Sequence, residues 1–446
     1  MFSTNRPRLH ATEPMAASDG KPSLGLLYVW ATPVVAALIH LCAVAVGGLL
    51  LSGFVLMAML GIGVMVFLAE SSILPDRRVV FSWLPWMPFF AWMWTSLFWC
   101  NGLQRENIQE AILISMPVLV GVVASATIHT VRQLQRLLTM FAWSLPLLFV
   151  ALLNNYRASG GELDDIGFRM GSLTSALIAA VFLAGTWRSR IRPWIGWSLC
   201  LLMAAIPGAR AATLAIVGLP LIHPRLGHWT TRVALIAGTI VSAVGIFQTE
   251  RFQERFFHDG GSGNLSDLSI DTVNTSGRGE AWPLILNKAL ERPVAGFGVG
   301  SSGFYVDEIS DLGGHPHNDY LRVLFELGVV GLTLFLAVVA WQTVYLFRML
   351  RNKEGVLQHA LAAAIMGWLI FLVTSLTDNT LVYAAAYMNP LFALIGGGCG
   401  VAARQQGSAR APENDGSGRE FVATATGSGM DLTTANVSRD LFRGEK

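Results

Sequence analysis

Residues 24–45 read LGLLYVWATPVVAALIHLCAVA, a run of 22 residues that contains no Asp, Glu, Lys or Arg. As an α-helix this run would be about 33 Å long, and the hydrocarbon core of a bilayer is about 30 Å thick. The same character extends along the chain, because 53% of the 446 residues are hydrophobic and 13% are charged. An ordinary soluble domain carries about 25% charged residues. The sequence therefore predicts an all-α integral membrane protein.

Further apolar segments of similar length follow the first one. Cutting the sequence at charged or Pro/Gly-rich breaks predicts about 12 transmembrane helices. The break at Pro207-Gly208 is either a boundary between two short helices or a kink within one longer helix, so the count ranges from about eleven to thirteen. The predicted spans are 24–45, 48–69, 82–100, 107–127, 134–153, 170–187, 193–206, 209–223, 231–248, 319–347, 356–376 and 380–402.

The positive charges indicate how these helices are oriented, because Lys and Arg accumulate in the cytoplasmic loops of membrane proteins. With the N-terminus inside, residues 1–23 are a cytoplasmic tail before an uncleaved first helix, and residues 404–446 are a disordered cytoplasmic tail. The inner loops then carry Arg77, Arg78, Arg132, Arg136, Arg188, Arg190, Arg192, Arg225, Arg232, Arg348, Arg351 and Lys353, and the short outer loops and junctions only Arg105, Arg157, Arg169 and Arg210.

One long segment separates helices one to nine, over residues 24–248, from helices ten to twelve, over residues 319–403. This segment, residues 249–318, is predicted to be a large loop on the outer side of the membrane. Within it, residues 249–257 are expected to form a short helix. Residues 280–290 have the apolar spacing of an amphipathic helix, which we expect to lie on the membrane surface as a lid.

Five polar residues map to this outer face although they are far apart in sequence. Two guanidinium groups suit a pyrophosphate, which they can hold through charge-assisted bidentate bonds. A histidine, which titrates near neutral pH, suits removal of a proton from an attacking hydroxyl. Structural alternatives remain open for several of them, such as a snorkelling or solvated arginine or a turn aspartate. The five residues are Arg210, Arg278, His315, His317 and Asp378.

Other features argue against competing interpretations. A net charge of +2 excludes a strongly basic nucleic-acid binder. His315 and His317 lack the further ligands that a zinc site requires, so no metal site is predicted. Arg322 and Glu326 are four residues apart on one predicted helix, where we expect them to neutralise each other.

Four short motifs carry a resemblance to a known family. They are RGEAW at 278–282, RPVAGFG at 292–298, HNDYL at 317–321 and ELGVVGL at 326–332. In this order they resemble the signature region of the O-antigen ligase and O-antigen polymerase superfamily of bacterial inner-membrane proteins. The number of predicted spans and the single large outer loop agree with that superfamily.

The resemblance implies a membrane-embedded, GT-C-like glycosyltransferase that needs no metal or other cofactor. Its donor would be an O-antigen linked to undecaprenyl pyrophosphate, and its acceptor a sugar hydroxyl of lipid A-core on the periplasmic side. Apart from these partners it would contact membrane lipids and no nucleic acid. By the same likeness His317 matches the catalytic base, Arg210 and Arg278 match the catalytic arginines that hold the pyrophosphate, and His315, Asn318 and Asp378 match further substrate-binding positions.

Two alternatives remain open. An O-antigen polymerase or a protein O-oligosaccharyltransferase of the same superfamily would use the same donor, although polymerases tend to have two long periplasmic loops and the loop at 154–169 is short. A multi-span transporter would place its charges near the bilayer midplane, at broken helices related by internal symmetry. The charges here gather at one end of the predicted helices, which favours a ligase.

Overall fold

The computed structural model describes residues 21–45, 49–73, 81, 83–100, 104–161, 166–185, 192–222, 229–250, 253–254, 257, 274–310 and 314–410. The elements in these residues are helices, as the sequence predicts. Their bounds are Leu24–Ala45, Leu49–Ile73, Met87–Thr95, Arg105–Thr127, Val131–Ala158, Ile166–Ala184, Arg192–Ala205, Arg210–Gly218, Trp229–Phe247, Arg278–Ala289, Ser301–Ile309, Asp319–Leu350, Gly355–Thr374 and Asn389–Arg410.

Six helices in the described part of the chain are long and apolar enough to cross a membrane, which confirms a helical membrane protein. Several of the other predicted spans contain shorter helices. The predicted span 82–100 holds only the nine-residue helix Met87–Thr95, flanked by short 3₁₀ turns. At Pro207-Gly208 the chain divides into two helices, and Gly208 adopts a positive φ of 73°. The six spanning segments are Leu24–Leu41, Arg105–Thr127, Val131–Ala158, Asp319–Leu350, Gly355–Thr374 and Ala384–Gln406.

The last two spanning segments form the centre of the bundle. Every residue of the apolar window in Ala384–Gln406 is buried. Gly396 lies so close to Gly121 of a neighbouring helix that a Cβ at Gly396 would be 2.1 Å from the Gly121 carbonyl oxygen. Such close backbone approach is typical of helix packing in membranes, where small residues at the contact allow extensive van der Waals packing.

The helix Asp319–Leu350 is broken at Gly328, although the sequence predicts a continuous span over 319–347. Gly328 has φ 67° and ψ −170°, so the carbonyl groups just before it lose their helical partners. The backbone N–H groups of Phe297 and Gly298 donate to the carbonyls of Phe325 and Glu326, at 3.0 and 2.7 Å. The glycine-rich segment, residues 293–300, therefore completes the hydrogen bonding of this broken helix.

Gly328→Ala is expected to destabilise the protein by more than about 1–2 kcal/mol. That amount is the cost of a left-handed conformation for a residue with a Cβ, and here the Cβ would also lie 2.2 Å from the Val294 carbonyl oxygen. The midpoint of thermal unfolding in detergent would measure the loss. Gly61→Ala is the matched control, because Gly61 is helical and has nothing within 4 Å of the added Cβ. Equal midpoints for the two variants would contradict the expectation.

The helix Arg278–Ala289, called the outer helix below, corresponds to the amphipathic segment predicted at 280–290. Its residues Ala281, Ile285 and Ala289 pack into a small separate core that also contains Phe297 and Phe325. The outer helix is thus anchored to the glycine-rich segment and to the broken helix. Its role as a membrane-surface lid stays a prediction.

Most residues of the predicted tails lie outside the described residues. Of the predicted helix at 249–257, five of the nine residues are described, and the N–H groups of Gln253 and Phe257 donate to the carbonyls of Thr249 and Gln253, both at 3.0 Å. At the C-terminal end, the helix Asn389–Arg410 continues beyond residue 404, where the disordered tail is predicted to begin. The Arg404 side chain explains part of this continuation, because its guanidinium donates to the carbonyls of Ser125 and Ile128 at 3.2 and 3.0 Å. Arg404 therefore satisfies carbonyls at the end of the helix Arg105–Thr127.

Candidate active site

The predicted base lies in the turn that leads into the broken helix. His317 has a positive φ of 51°, a conformation that is uncommon for residues other than glycine and that concentrates at functional sites. The neighbouring Asn318 is the N-cap, because its side-chain oxygen accepts the Leu321 N–H at 2.9 Å. The turn is also tied to the outer helix, since the Trp282 indole N–H donates to the Pro316 carbonyl at 2.7 Å.

Asp378 and Asn379 contact the His317 ring from the connection between the last two spanning segments. The His317 Nδ1 atom lies 3.4 Å from Asp378 Oδ1 and 3.1 Å from Asn379 Nδ2. Asp378 Oδ1 also accepts the Asn379 backbone N–H at 2.8 Å and the Tyr383 hydroxyl at 3.1 Å. The side chains of His317 and Asp378 remain 12% and 16% exposed, so the pair is largely but not completely enclosed.

The surroundings of Asp378 favour its ionised form. Burial by itself would raise the pKa of its carboxyl, but hydrogen bonds from His317 and from the Asn379 backbone, together with the charges of His317 and Arg278, lower the pKa below its ordinary value. An ionised carboxylate beside Nδ1 stabilises the imidazolium that forms when the histidine accepts a proton. Arg278 is therefore close enough to Asp378 to act electrostatically on it.

His315 differs from His317 in its surroundings. Burial lowers the pKa of His315 to about 3, and the positive charges of Arg322 and His317 act in the same direction. A group with so low a pKa is a weak base at neutral pH. Among the described residues, its buried Nδ1 atom has no hydrogen-bond partner. These properties favour His317 over His315 as the group that accepts a proton.

Arg210 is connected to the start of the outer helix. Its guanidinium donates to the Asn274 carbonyl at 2.6 Å and to the Ser276 hydroxyl at 2.8 Å. Ser276 and Gly277 both have positive φ angles, and this tight turn places Arg278 at the first position of the outer helix. The structure thus brings Arg210 to the segment that carries Arg278.

Charged side chains form a buried cluster in the first turns of the broken helix, just after His317. Arg322 donates from Nε to Glu326 at 3.1 Å, so the predicted pair is confirmed, and Nη2 also binds Glu110. The Ser302 hydroxyl donates to the same Glu326 oxygen at 2.5 Å. A buried arginine needs such partners, because an unpaired buried charge is strongly destabilising. Glu110 joins the helix Arg105–Thr127 to the broken helix.

Sequence reasoning missed several of these contacts. Asp319 is fully buried and accepts the Leu381 N–H at 2.9 Å, and its own N–H donates to the Ser375 carbonyl at 2.9 Å. These bonds fix the connection that presents Asp378. The sequence could have indicated a role for Glu110, because an acidic residue inside a predicted membrane span needs a charged or polar partner. Asn379 and Tyr383 gave no comparable signal in the sequence.

No group of three or more His, Cys, Asp or Glu residues able to hold a metal ion occurs within the described ranges. The candidate site thus consists of the contact between His317 and Asp378, the charge of Arg278 acting on Asp378, and Arg210 bound to the turn that precedes Arg278. This set suits an anionic substrate that loses or gains a proton at a neighbouring hydroxyl.

Part of the chain that carries this site is similar in sequence to known proteins. Residues 166–336 match the family model described as O-antigen ligase. This region is similar to the O-antigen ligase family. The matched region contains Arg210, Arg278, His315 and His317, and Asp378 lies beyond its end.

Related sequences carry names of the same kind. Proteins named as polysaccharide ligases from Rickettsia conorii (strain ATCC VR-613 / Malish 7) and Rickettsia prowazekii (strain Madrid E) are 38% identical over 69 residues and 35% identical over 88 residues. The matches cover 13% and 17% of this chain, and 17% and 22% of those proteins. A similar protein from Rickettsia typhi (strain ATCC VR-144 / Wilmington) is 36% identical over 88 residues. The chain thus matches about a fifth of the length of these relatives.

Proposed function

We propose that the protein is an O-antigen ligase, a glycosyltransferase that moves O-antigen polysaccharide from undecaprenyl pyrophosphate to a sugar hydroxyl of lipid A-core. The observation that carries this proposal is the contact of His317 with Asp378, with Arg278 acting on the same carboxylate and Arg210 bound to the adjoining turn. The family match supports a polysaccharide ligase in general terms. The identity of the donor, the identity of the acceptor and the reaction mechanism are proposed.

The proposed reaction is a single displacement. His317 accepts the proton of the acceptor hydroxyl while the hydroxyl oxygen forms a bond to the anomeric carbon of the donor. The bond between that carbon and the pyrophosphate oxygen breaks, and its electron pair leaves with the pyrophosphate. Arg210 and Arg278 stabilise the charge that grows there, which is preorganised electrostatic catalysis. Attack from the face opposite the leaving group inverts the anomeric configuration, and no metal ion is needed to balance the charge.

A deletion strain tests the proposed function directly. If the protein is the ligase, the strain accumulates lipid-linked polymer and its surface carries lipid A-core without O-antigen. The parent gene restores the attached polymer, whereas a gene encoding His317→Ala does not. Core bearing a single repeat unit would indicate a polymerase instead, and a normal glycolipid profile would exclude both functions.

We further propose that the protein lies in the bacterial inner membrane as a GT-C-like bundle of about 12 transmembrane helices. Both termini would be cytoplasmic and the site periplasmic. The excess of arginines in the predicted inner loops supports this orientation.

Cysteine labelling in intact spheroplasts measures that orientation. A cysteine introduced at Glu308, which is exposed on the helix Ser301–Ile309, is expected to react with a membrane-impermeant thiol reagent. A cysteine at the exposed Arg351, beyond the other end of the broken helix, is expected to react only after the membrane is permeabilised. The parent chain is the control for its own cysteines. The reverse labelling pattern would overturn the orientation.

A further inference from the structure

Among the residues that the structure describes, two side chains lie within hydrogen-bonding distance of the His317 Nδ1 atom. Asn379 Nδ2 is the nearer, at 3.1 Å, and Asp378 Oδ1 is at 3.4 Å. Asp378 Oδ1 already accepts two shorter hydrogen bonds, from the Asn379 backbone and from Tyr383. For a hydrogen on Nδ1, Asp378 is therefore a distant acceptor, and its oxygen already accepts hydrogen bonds from two other groups.

A neutral imidazole can act as a base at only one of its nitrogens. For Nε2 to accept a proton from a substrate hydroxyl, the ring hydrogen must be on Nδ1. A hydrogen on Nδ1 needs an acceptor, whereas a donor facing Nδ1 selects the opposite form, with the hydrogen on Nε2. The group that faces Nδ1 therefore decides whether His317 can serve as the base.

The side-chain amide of Asn379 can face Nδ1 in either of two ways. With Nδ2 toward the ring it donates to Nδ1, and its own Oδ1 atom is then buried without a hydrogen-bond partner among the described residues. Rotation of the amide by 180° exchanges the two atoms with almost no change in shape. Oδ1 then accepts the hydrogen of Nδ1 at the same 3.1 Å separation.

We propose that Asn379 is a positioning residue that turns its Oδ1 atom toward His317 and, together with Asp378, keeps the ring hydrogen on Nδ1. Nε2 is then free to accept a proton. The catalytic consequence rests on the proposed function, in which His317 is the base, whereas the tautomer itself does not. Asn379 is fully buried, so its amide acts within the protein and not through contact with substrate.

Nitrogen-15 NMR of protein labelled at histidine and reconstituted in lipid nanodiscs measures the tautomer without any substrate. The chain has nine histidines, and the difference from a His317→Gln sample assigns the ring in question. In the parent protein we expect neutral His317 to carry its hydrogen on Nδ1. Asn379→Asp keeps the shape and offers only acceptor atoms, so the same tautomer is expected.

Asn379→Leu removes the amide at nearly constant volume, and a substantial fraction of neutral His317 is expected to carry the hydrogen on Nε2. The kcat for glycan transfer should then fall by about 3- to 30-fold, in proportion to the lost fraction of competent ring. The KM for donor should stay unchanged, because Asn379 is fully buried and its amide faces His317. A purely structural role would instead lower the thermal midpoint and leave the tautomer as in the parent.

Two results would overturn the inference. One is a parent protein whose neutral His317 carries its hydrogen on Nε2, with Asn379→Asp switching it to Nδ1, because Asn379 would then be a donor. The other is an Asn379→Leu protein with the parent tautomer. If Asn379→Leu does not fold, the His317 tautomers of the parent and of Asn379→Asp, compared with each other, test the inference. A confirmed tautomer in a protein that transfers no glycan would refute the proposed function and leave the assignment of Asn379 intact.

Discussion

Replacement of His317 by alanine is expected to lower turnover by about 10²- to 10⁴-fold, the usual cost of removing a general base. Donor affinity should change little, because the arginines that would hold the pyrophosphate come from other segments, at Arg210 and the start of the outer helix. Donor binding and single-turnover transfer, measured separately on protein in nanodiscs, would distinguish the two effects.

His315→Ala is the matched control for that variant. His315 is two residues away in the same turn, and burial, which lowers its pKa to about 3, makes it a weak base at neutral pH. Its loss should therefore reduce turnover much less than the loss of His317. If His317→Ala turns over at nearly the parent rate, or His315→Ala is the more damaging change, the base has been assigned to the wrong histidine.

The membrane character and the candidate site residues could be named from sequence because they depend on local signals. Apolar runs of membrane length are visible in one dimension, and so is a charged residue next to such a run. Counting helices then predicts that Arg210, Arg278, His317 and Asp378 lie at the same end of the bundle.

The break at Gly328 and the partners of His317 could not be predicted in the same way. A glycine within a long apolar run is common in membrane helices, and its break depends on the glycine-rich segment that supplies N–H groups to the freed carbonyls. Asn379 contacts His317 only because the buried Asp319 fixes the connection that follows Thr374. Such contacts between distant segments leave no periodic pattern in the sequence.

Arg278→Ala is expected to weaken donor binding by at least about tenfold and to slow transfer as well. A charge-assisted hydrogen bond contributes about 1.5–3 kcal/mol, and an arginine can make two of them to one pyrophosphate. The growing charge on the leaving group should depend on the same contact, so kcat is expected to fall together with affinity. Arg278→Lys keeps the charge but loses the planar fork, and it should recover only part of both.

Arg292→Ala provides the control for Arg278→Ala, because Arg292 is an exposed arginine just beyond the same outer helix and lies 4.9 Å from the Phe297 ring. Loss of such a surface contact costs about 1 kcal/mol or less and should leave donor affinity near the parent value. Titration of each protein with an undecaprenyl pyrophosphate glycan, followed by transfer assays at saturating donor, separates affinity from turnover. Equal donor affinities for Arg278→Ala and Arg292→Ala would show that Arg278 does not hold the pyrophosphate, even if His317 proves to be the base.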